Sequence, residues 1–387
     1  MRGRNIENSL IMIMQFTRRL FLQFCAVILT LPLMSSLFSA EWSFGVIPDT
    51  QWAYDKNAPF HGTAIHIVDA INAEFIRQKV DFVIQVGDLA ETPTATGFQT
   101  RAARNQSLTD AGIKFYPIRG NHDVVKYGLA SSGSENEIPQ GSIAQFKAAF
   151  PDLPGTPKGG GSSPDLPGIA GMTYSFTHKG GKFVLLDTLP LIDDDPRGGK
   201  PYTISDYLPW IDTELKKDDH HFALVFAHKN IQGQNHKDNI FGRHHDVEPD
   251  MQNAFLDCLQ RNGVRYFICG HDHLYHHSRI KSPDGQSEVG QIICGGAAHK
   301  FYQPTAPLSP RDTPIAQELN RISFLIARVD DERIRFEYYS TAPFGGKPKT
   351  PEWEIRDSFG YTWDGQEFGV PTESMQQFFQ PKQQTVK

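Results

Sequence analysis

The sequence predicts an α/β fold in which two packed mixed β-sheets form a sandwich flanked by helices. Three observations predict it. Strand and helix patterns alternate along much of the chain, and the C-terminal half is rich in strands. Several apolar runs are continuous, as expected of strands covered on both faces. A strand-rich half following an alternating half favours sheet packed on sheet, with the helices outside.

Residues 1–40 read as an export signal, separate from the fold. Arg18 and Arg19 precede an apolar run from Leu20 to Leu33, and Ser35, Ser36, Ser39 and Ala40 follow. A charged start, an apolar middle and a small-residue end make a secretory signal. The run is short for a membrane span, which needs about 20 apolar residues. A single-span anchor is the alternative if the run extends toward Phe38. Thr17-Arg18-Arg19-Leu20-Phe21-Leu22-Gln23 resembles a twin-arginine signal, which exports proteins already folded. The partners implied are the twin-arginine or the general export machinery, and the expected location is periplasmic or secreted, with no membrane attachment after cleavage. Translation can begin at Met12 or Met14.

The folded part is expected over 41–345. Trp42 to Pro48 reads as a strand, His61 to Val80 as a helix with Ile67, Ile71 and Phe75 on one side, and Phe82 to Val86 as a buried strand. Phe98 to Ala111 reads as a helix and Lys114 to Ile118 as a strand. Pro151 to Gly171 is rich in Gly, Pro and Ser and reads as a long surface loop. Thr173 to Thr177 and Phe183 to Asp187 read as a strand pair. Ser205 is the expected cap of a helix to Lys217. Strands follow at Phe222–Phe226, Val264–Cys269, Glu288–Cys294, Ile322–Val329 and Arg333–Ser340, with a helix over Pro249–Asn262. The chain after Pro343, with residues 346–387 as a tail, is expected to pack loosely.

The chain has 387 residues, 39% of them hydrophobic and 21% charged, with a net charge of −6. That is an ordinary globular composition. It offers no basic stripe, so no nucleic-acid partner is expected. Cys258, Cys269 and Cys294 have no framework spacing and read as small buried hydrophobes.

Five predicted strand ends deliver polar residues into loops. They are Asp49 and Gln51, then Asp88, then Asn121 and His122, then His228, then His271 and His273. In open α/β sheets, ligands bind beyond the C-terminal ends of strands. Carboxylate, amide and imidazole groups suit a first-row metal ion. Each residue alone could be a turn former or a satisfied polar group; the joint pattern favours ligands. Asp272 is expected to point away or cap a loop. His276 and His277 are assigned to the surface. His236, His244 and His245 are read mainly as solvated loop residues.

The motifs Asp49-Thr50-Gln51, Gly87-Asp88-Leu89-Ala90-Glu91, Gly120-Asn121-His122-Asp123, Ala227-His228 and Gly270-His271-Asp272-His273 resemble, in order, those of the calcineurin-like metallophosphoesterase family. The resemblance implies a four-layer αββα fold and two divalent or trivalent metal ions. Asp49, Gln51, Asp88 and His273 would hold the first. Asp88 would bridge to the second, held also by Asn121, His228 and His271. His122 would serve as the general acid with Asp123 orienting it, while a metal-bridging hydroxide attacks a small phosphorylated substrate. Gln51 replaces the family's usual histidine. Its harder amide oxygen shifts the first site toward Mn or Fe, with Zn still possible. Glu91 stands where purple acid phosphatases carry a tyrosine, so no purple colour is expected.

The expected function is therefore an exported phosphoesterase acting on a monoester or diester. The alternatives are a non-catalytic metal-binding scaffold, or a nuclease or cyclic-nucleotide phosphodiesterase. Retention of His122 and Asp123 favours the enzyme.

Overall fold

The computed structural model describes residues 41–51, 63–125, 141–189, 201–305, 309–344 and 349–369. The expected export signal and the expected helix start at His61 lie outside the described residues. Among those described, no helix is long and apolar enough to cross a membrane.

Two seven-stranded sheets build the core. In the first, β1 (Trp42–Ile47), β2 (Phe82–Val86) and β3 (Lys114–Ile118) run parallel, so all three end at the same edge. β11 (Ile322–Val329) lies antiparallel to β1, and β12 (Arg333–Thr341), β13 (Glu354–Thr362) and β14 (Glu367–Phe368) extend the sheet beyond it. In the second sheet β5 (Gly181–Leu186), β6 (Phe222–Ala227), β7 (Tyr266–Cys269) and β9 (Glu288–Cys294) are parallel neighbours. β4 (Tyr174–His178), β8 (Tyr275–Lys281) and β10 (Asp312–Glu318) pair antiparallel with members of this set.

Side chains alternate across a strand, and the first sheet uses both faces. Phe44 and Val46 of β1, with Phe82, Ile84 and Val86 of β2, join Phe183, Phe226, Phe336 and Phe359 in the core between the sheets. Val83, Phe324 and Ile326 turn the other way and pack with Ile67, Ile71 and Phe75 of helix α1 (Ile65–Gln78). Arg119, just past β3, grips Asp187, just past β5, at 2.6 and 3.1 Å, with both side chains fully buried. This ion pair locks one sheet to the other beside the loop that follows β3.

The sandwich is as expected, and four local expectations change. The helix expected over Phe98–Ala111 is two, α2 (Ala95–Arg104) and α3 (Gln106–Asp110), which meet at Asn105, the C-cap of one and the N-cap of the other. A helix at Ser142–Ala149, α4, has no counterpart in the sequence reading. The helix assigned to Ser205 begins a residue earlier, as α5 (Ile204–Leu215), where the Asp206 carboxylate accepts the Thr203 amide at 2.7 Å. The loose packing expected after Pro343 is corrected: β13 pairs with β12 and buries Asp357, Phe359 and Tyr361. Helix α6 (Pro249–Arg261) lies where it was expected. Cys258, Cys269 and Cys294 are buried and unbridged.

Candidate metal centre

The parallel strands of both sheets end at one edge, and their following loops meet there. Asp49 leaves β1, Asp88 leaves β2, Asn121 to Asp123 form a single 3-10 turn after β3, His228 leaves β6, and His271 leaves β7. Backbone bonds stitch these loops together. The Asp49 carboxylate accepts the His271 amide at 3.0 and 3.1 Å, the His228 carbonyl accepts the Gly270 amide at 3.0 Å, and the Asp49 carbonyl accepts the Ala297 amide at 3.1 Å. Two glycines permit the closeness. A Cβ on Gly120 would overlap the Asp88 carboxylate, and one on Gly87, itself at φ 87°, would overlap the His228 ring. Asp88, His271 and His273 hold left-handed backbones, with φ of 50°, 72° and 47°. Each costs on the order of 1–3 kcal/mol, a strain that clusters at functional sites.

All seven residues expected to bind metal converge. Around one point, ligand atoms of Asp49, Asp88 and His273 lie within 4.8 Å of one another. The Gln51 amide sits among them, 2.7 Å from Asp88 Oδ2 and 3.0 Å from His273 Nε2. Around a second point, His228 Nε2 is 2.8 Å from Asn121 Oδ1, 3.2 Å from His271 Nδ1 and 3.4 Å from Asp88 Oδ1. Asp88 thus contributes one oxygen to each group.

The electrostatics of this set fit cations. Burial drives the imidazoles of His228 and His273 down to about 4 and about 3, and lowers His271 too, so all three present neutral nitrogen lone pairs. Burial, reinforced by the neighbouring Asp88 charge, pushes the Asp49 carboxyl well above the usual range. Burial opposes ionisation of Asp88 as well, but the surrounding imidazoles of His228, His122 and His271 outweigh it and hold the carboxyl at about 2. Two buried carboxylates facing each other lack positive charge between them, and a metal ion would supply it. Gln51 Oε1 is buried with no hydrogen-bond partner, which leaves an amide oxygen to spare for a ligand role.

Residues 43–275 match the calcineurin-like phosphoesterase family. The chain belongs to that family. It is accordingly a hydrolase acting on phosphoric esters. Among solved structures it is similar to PhoD, at 14% identity and a TM-score of 0.56, over 87% of this chain and 72% of that one. It is also similar to a purple acid phosphatase from yellow lupin, at 14% identity and 0.49, over 86% and 54% of the two chains. A dimetal phosphatase from Danio rerio matches at 16% and 0.43, over 77% and 95%. No curated protein sequence matches.

In this phosphoesterase His122 stands beside the centre, its amide donating to Asp88 Oδ1 at 2.9 Å. For Asp123, expected to orient His122, the carboxylate contacts are with main-chain amides. The Asp123 carboxylate accepts the amides of Gly120, Leu89 and Ala90 at 2.8, 3.0 and 3.2 Å, so it braces two loops against each other. The groups facing His122 Nδ1 belong to Glu91, its carbonyl at 3.2 Å and its carboxylate at 3.5 Å. Glu91 was legible as the last residue of its motif, but nothing in its spacing announced this contact.

The rim of the centre was the least legible part. Asp272 caps the loop after β6, accepting the amides of Gln234, Asn235 and His236 at 2.5, 3.1 and 3.0 Å. His236, read as a solvated bystander, donates from Nδ1 to Asp272 at 2.7 Å and stacks on His271 with ring centres 4.1 Å apart. His244 is exposed, and His245 Nε2 donates to the His236 carbonyl at 2.8 Å. Tyr302 stands edge-on to both His236 and His273, at 4.7 and 5.1 Å. His276 and His277 are not on the surface. They lie within β8, at 0% and 2% exposure, against Asp312 and Asp357.

Proposed function

We propose that this chain is an exported, dinuclear metal-dependent phosphoesterase that hydrolyses a small phosphomonoester or phosphodiester. The observation that carries the reading is the Asp88 carboxylate, with one oxygen beside His228 and the other beside Gln51. Asp49, Gln51, Asp88 and His273 would hold the first ion; Asp88, Asn121, His228 and His271 the second. The hard oxygens of Gln51 and the two aspartates favour Mn or Fe over Zn in the first site. Bound ions supply positive charge against phosphoryl oxygens and lower the pKa of water enough to make it a nucleophile at neutral pH.

The protein groups divide the remaining work. His122, anchored through its amide to Asp88, protonates the departing alkoxide. Glu91 faces the other edge of that imidazole, its carbonyl at 3.2 Å and its carboxylate at 3.5 Å from Nδ1. Asp123 fixes the Gly120 and Leu89 loops, so His122 and Asp88 keep their spacing. Export rests on Arg18, Arg19 and the apolar run that follows them.

The test is turnover of p-nitrophenyl phosphate, bis-p-nitrophenyl phosphate and cyclic nucleotides with Mn, Fe or Zn, alongside elemental analysis of exported protein. Two ions per chain and hydrolysis of one of these esters is the expected result. Metal uptake without turnover of any ester would favour the scaffold instead.

A further inference from the structure

Each histidine at the centre has one ring nitrogen turned inward and the other held by a protein acceptor. His228 Nδ1 donates to the Val86 carbonyl at 2.9 Å, and His273 Nδ1 donates to the Lys300 carbonyl at 2.9 Å. Both acceptors are main-chain groups, which no side-chain change can remove. His271 differs. Its Nδ1 faces the centre, and its Nε2 donates to the carboxylate of Asp238 at 3.3 Å.

Asp238 lies in the loop after β6, outside every motif. Its other oxygen pairs with the Lys229 ammonium at 2.8 Å, and its side chain is 31% exposed. The same loop supplies His236, which covers the face of the His271 ring. One loop therefore restrains His271 by edge and by face. A carboxylate behind a ligand histidine fixes its tautomer and raises the basicity of the ligating nitrogen. A charged acceptor does so more strongly than a neutral carbonyl. Lys229 neutralises part of that charge.

We propose that Asp238 is a positioning residue which commits His271 to bind metal through Nδ1 and so sets the affinity of the second metal site, with Lys229 tempering it. The proposal rests on the dinuclear reading above, and the fit of the donor set carries it: Asn121 Oδ1, His271 Nδ1 and Asp88 Oδ1 lie 2.8, 3.2 and 3.4 Å from His228 Nε2. Of the three histidine ligands, His271 alone is oriented by an acceptor that substitution can discharge.

Mn titration of chelator-stripped full-length protein by calorimetry tests it. The binding step lost in His271→Ala identifies the second site. Asp238→Asn preserves size and removes charge, and it should weaken that step about ten- to hundredfold while leaving the first site unchanged. Asp238→Glu should recover most of the loss, which a merely structural role for the loop would not predict. Lys229→Met should tighten the same step severalfold, and this arm stands even where Asp238→Asn folds poorly. Equal affinity of Asp238→Asn and the parent for both ions would overturn the proposal, as would weaker second-site binding in Lys229→Met. A parent protein that takes up no metal would instead overturn the dinuclear reading itself.

Discussion

His122 and Asp123 are neighbours in sequence with separate duties, and substitution should separate them. On the proposed mechanism, His122→Ala removes the proton donor but no metal ligand. Turnover should fall by about 10² to 10⁴, the usual worth of general-acid help, with metal content by elemental analysis unchanged. Loss of metal in that variant would contradict the assignment. Asp123→Ala should act on stability first. It strands three buried backbone amides, those of Gly120, Leu89 and Ala90. A buried donor left unpaired costs about 1–3 kcal/mol, so urea unfolding should show a loss of about 3 kcal/mol or more. A variant as stable as its parent would mean that water or a neighbour replaces the carboxylate. Residue identity was readable here; partnership was not, since the amide-binding role of Asp123 depends on how close two loops approach.

Strand β8 shows what element-level packing adds. His276 and His277 read from the sequence as surface residues, but β9 and β10 pair on either side of the strand. His277 also meets Asp357 of β13, at 3.3 Å, and stacks on Phe359 with centres 3.8 Å apart. Burial lowers its imidazole below the usual value, although Asp357 pulls the other way. In the unfolded chain that imidazole takes up its proton as pH falls through about 6.5. The folded protein resists until lower pH, so the unfolded state binds protons first. Stability present above pH 6.5 is therefore lost as pH falls toward the folded value. His277→Gln should lose less stability than the parent between about pH 7 and pH 5, measured by denaturant midpoints. Parallel losses in both proteins would show that this residue contributes nothing to acid sensitivity.

At the scale of the molecule, both the C-terminal strands and the metal ions bear on whether the sandwich survives. Ending the chain at Pro343 removes β13, and with it Phe359 and Tyr361 of the core, and uncovers Phe336 of β12. Burial of one large apolar side chain is worth about 1.5–3 kcal/mol, against a total stability of about 5–15 kcal/mol. The shortened chain should therefore be insoluble or melt far below the parent, and a cooperative melt at the parent temperature would argue against that weight. Metal removal has the opposite origin and a smaller reach. Ions that bind only the folded state stabilise it in proportion to their occupancy. Chelation should lower the melting temperature and abolish turnover, and added Mn should restore both. No shift on chelation would mean that the cluster binds no ion in solution.

The sequence by itself determined the sheet-on-sheet class and placed the seven candidate ligands in loops just beyond predicted strands. Both follow from short-range information: apolar runs mark strands, and the polar residues one to four places beyond those runs fall at a sheet edge. Tertiary structure decided which groups stand behind those ligands. Asp49 and His271 are 222 residues apart, and their contact depends on the two sheets docking in one register. Glu91 beside His122, Asp238 behind His271 and β13 against β12 are likewise products of docking. Side-chain chemistry is written locally, but a hydrogen bond between distant loops exists only once packing has brought them within about 3 Å.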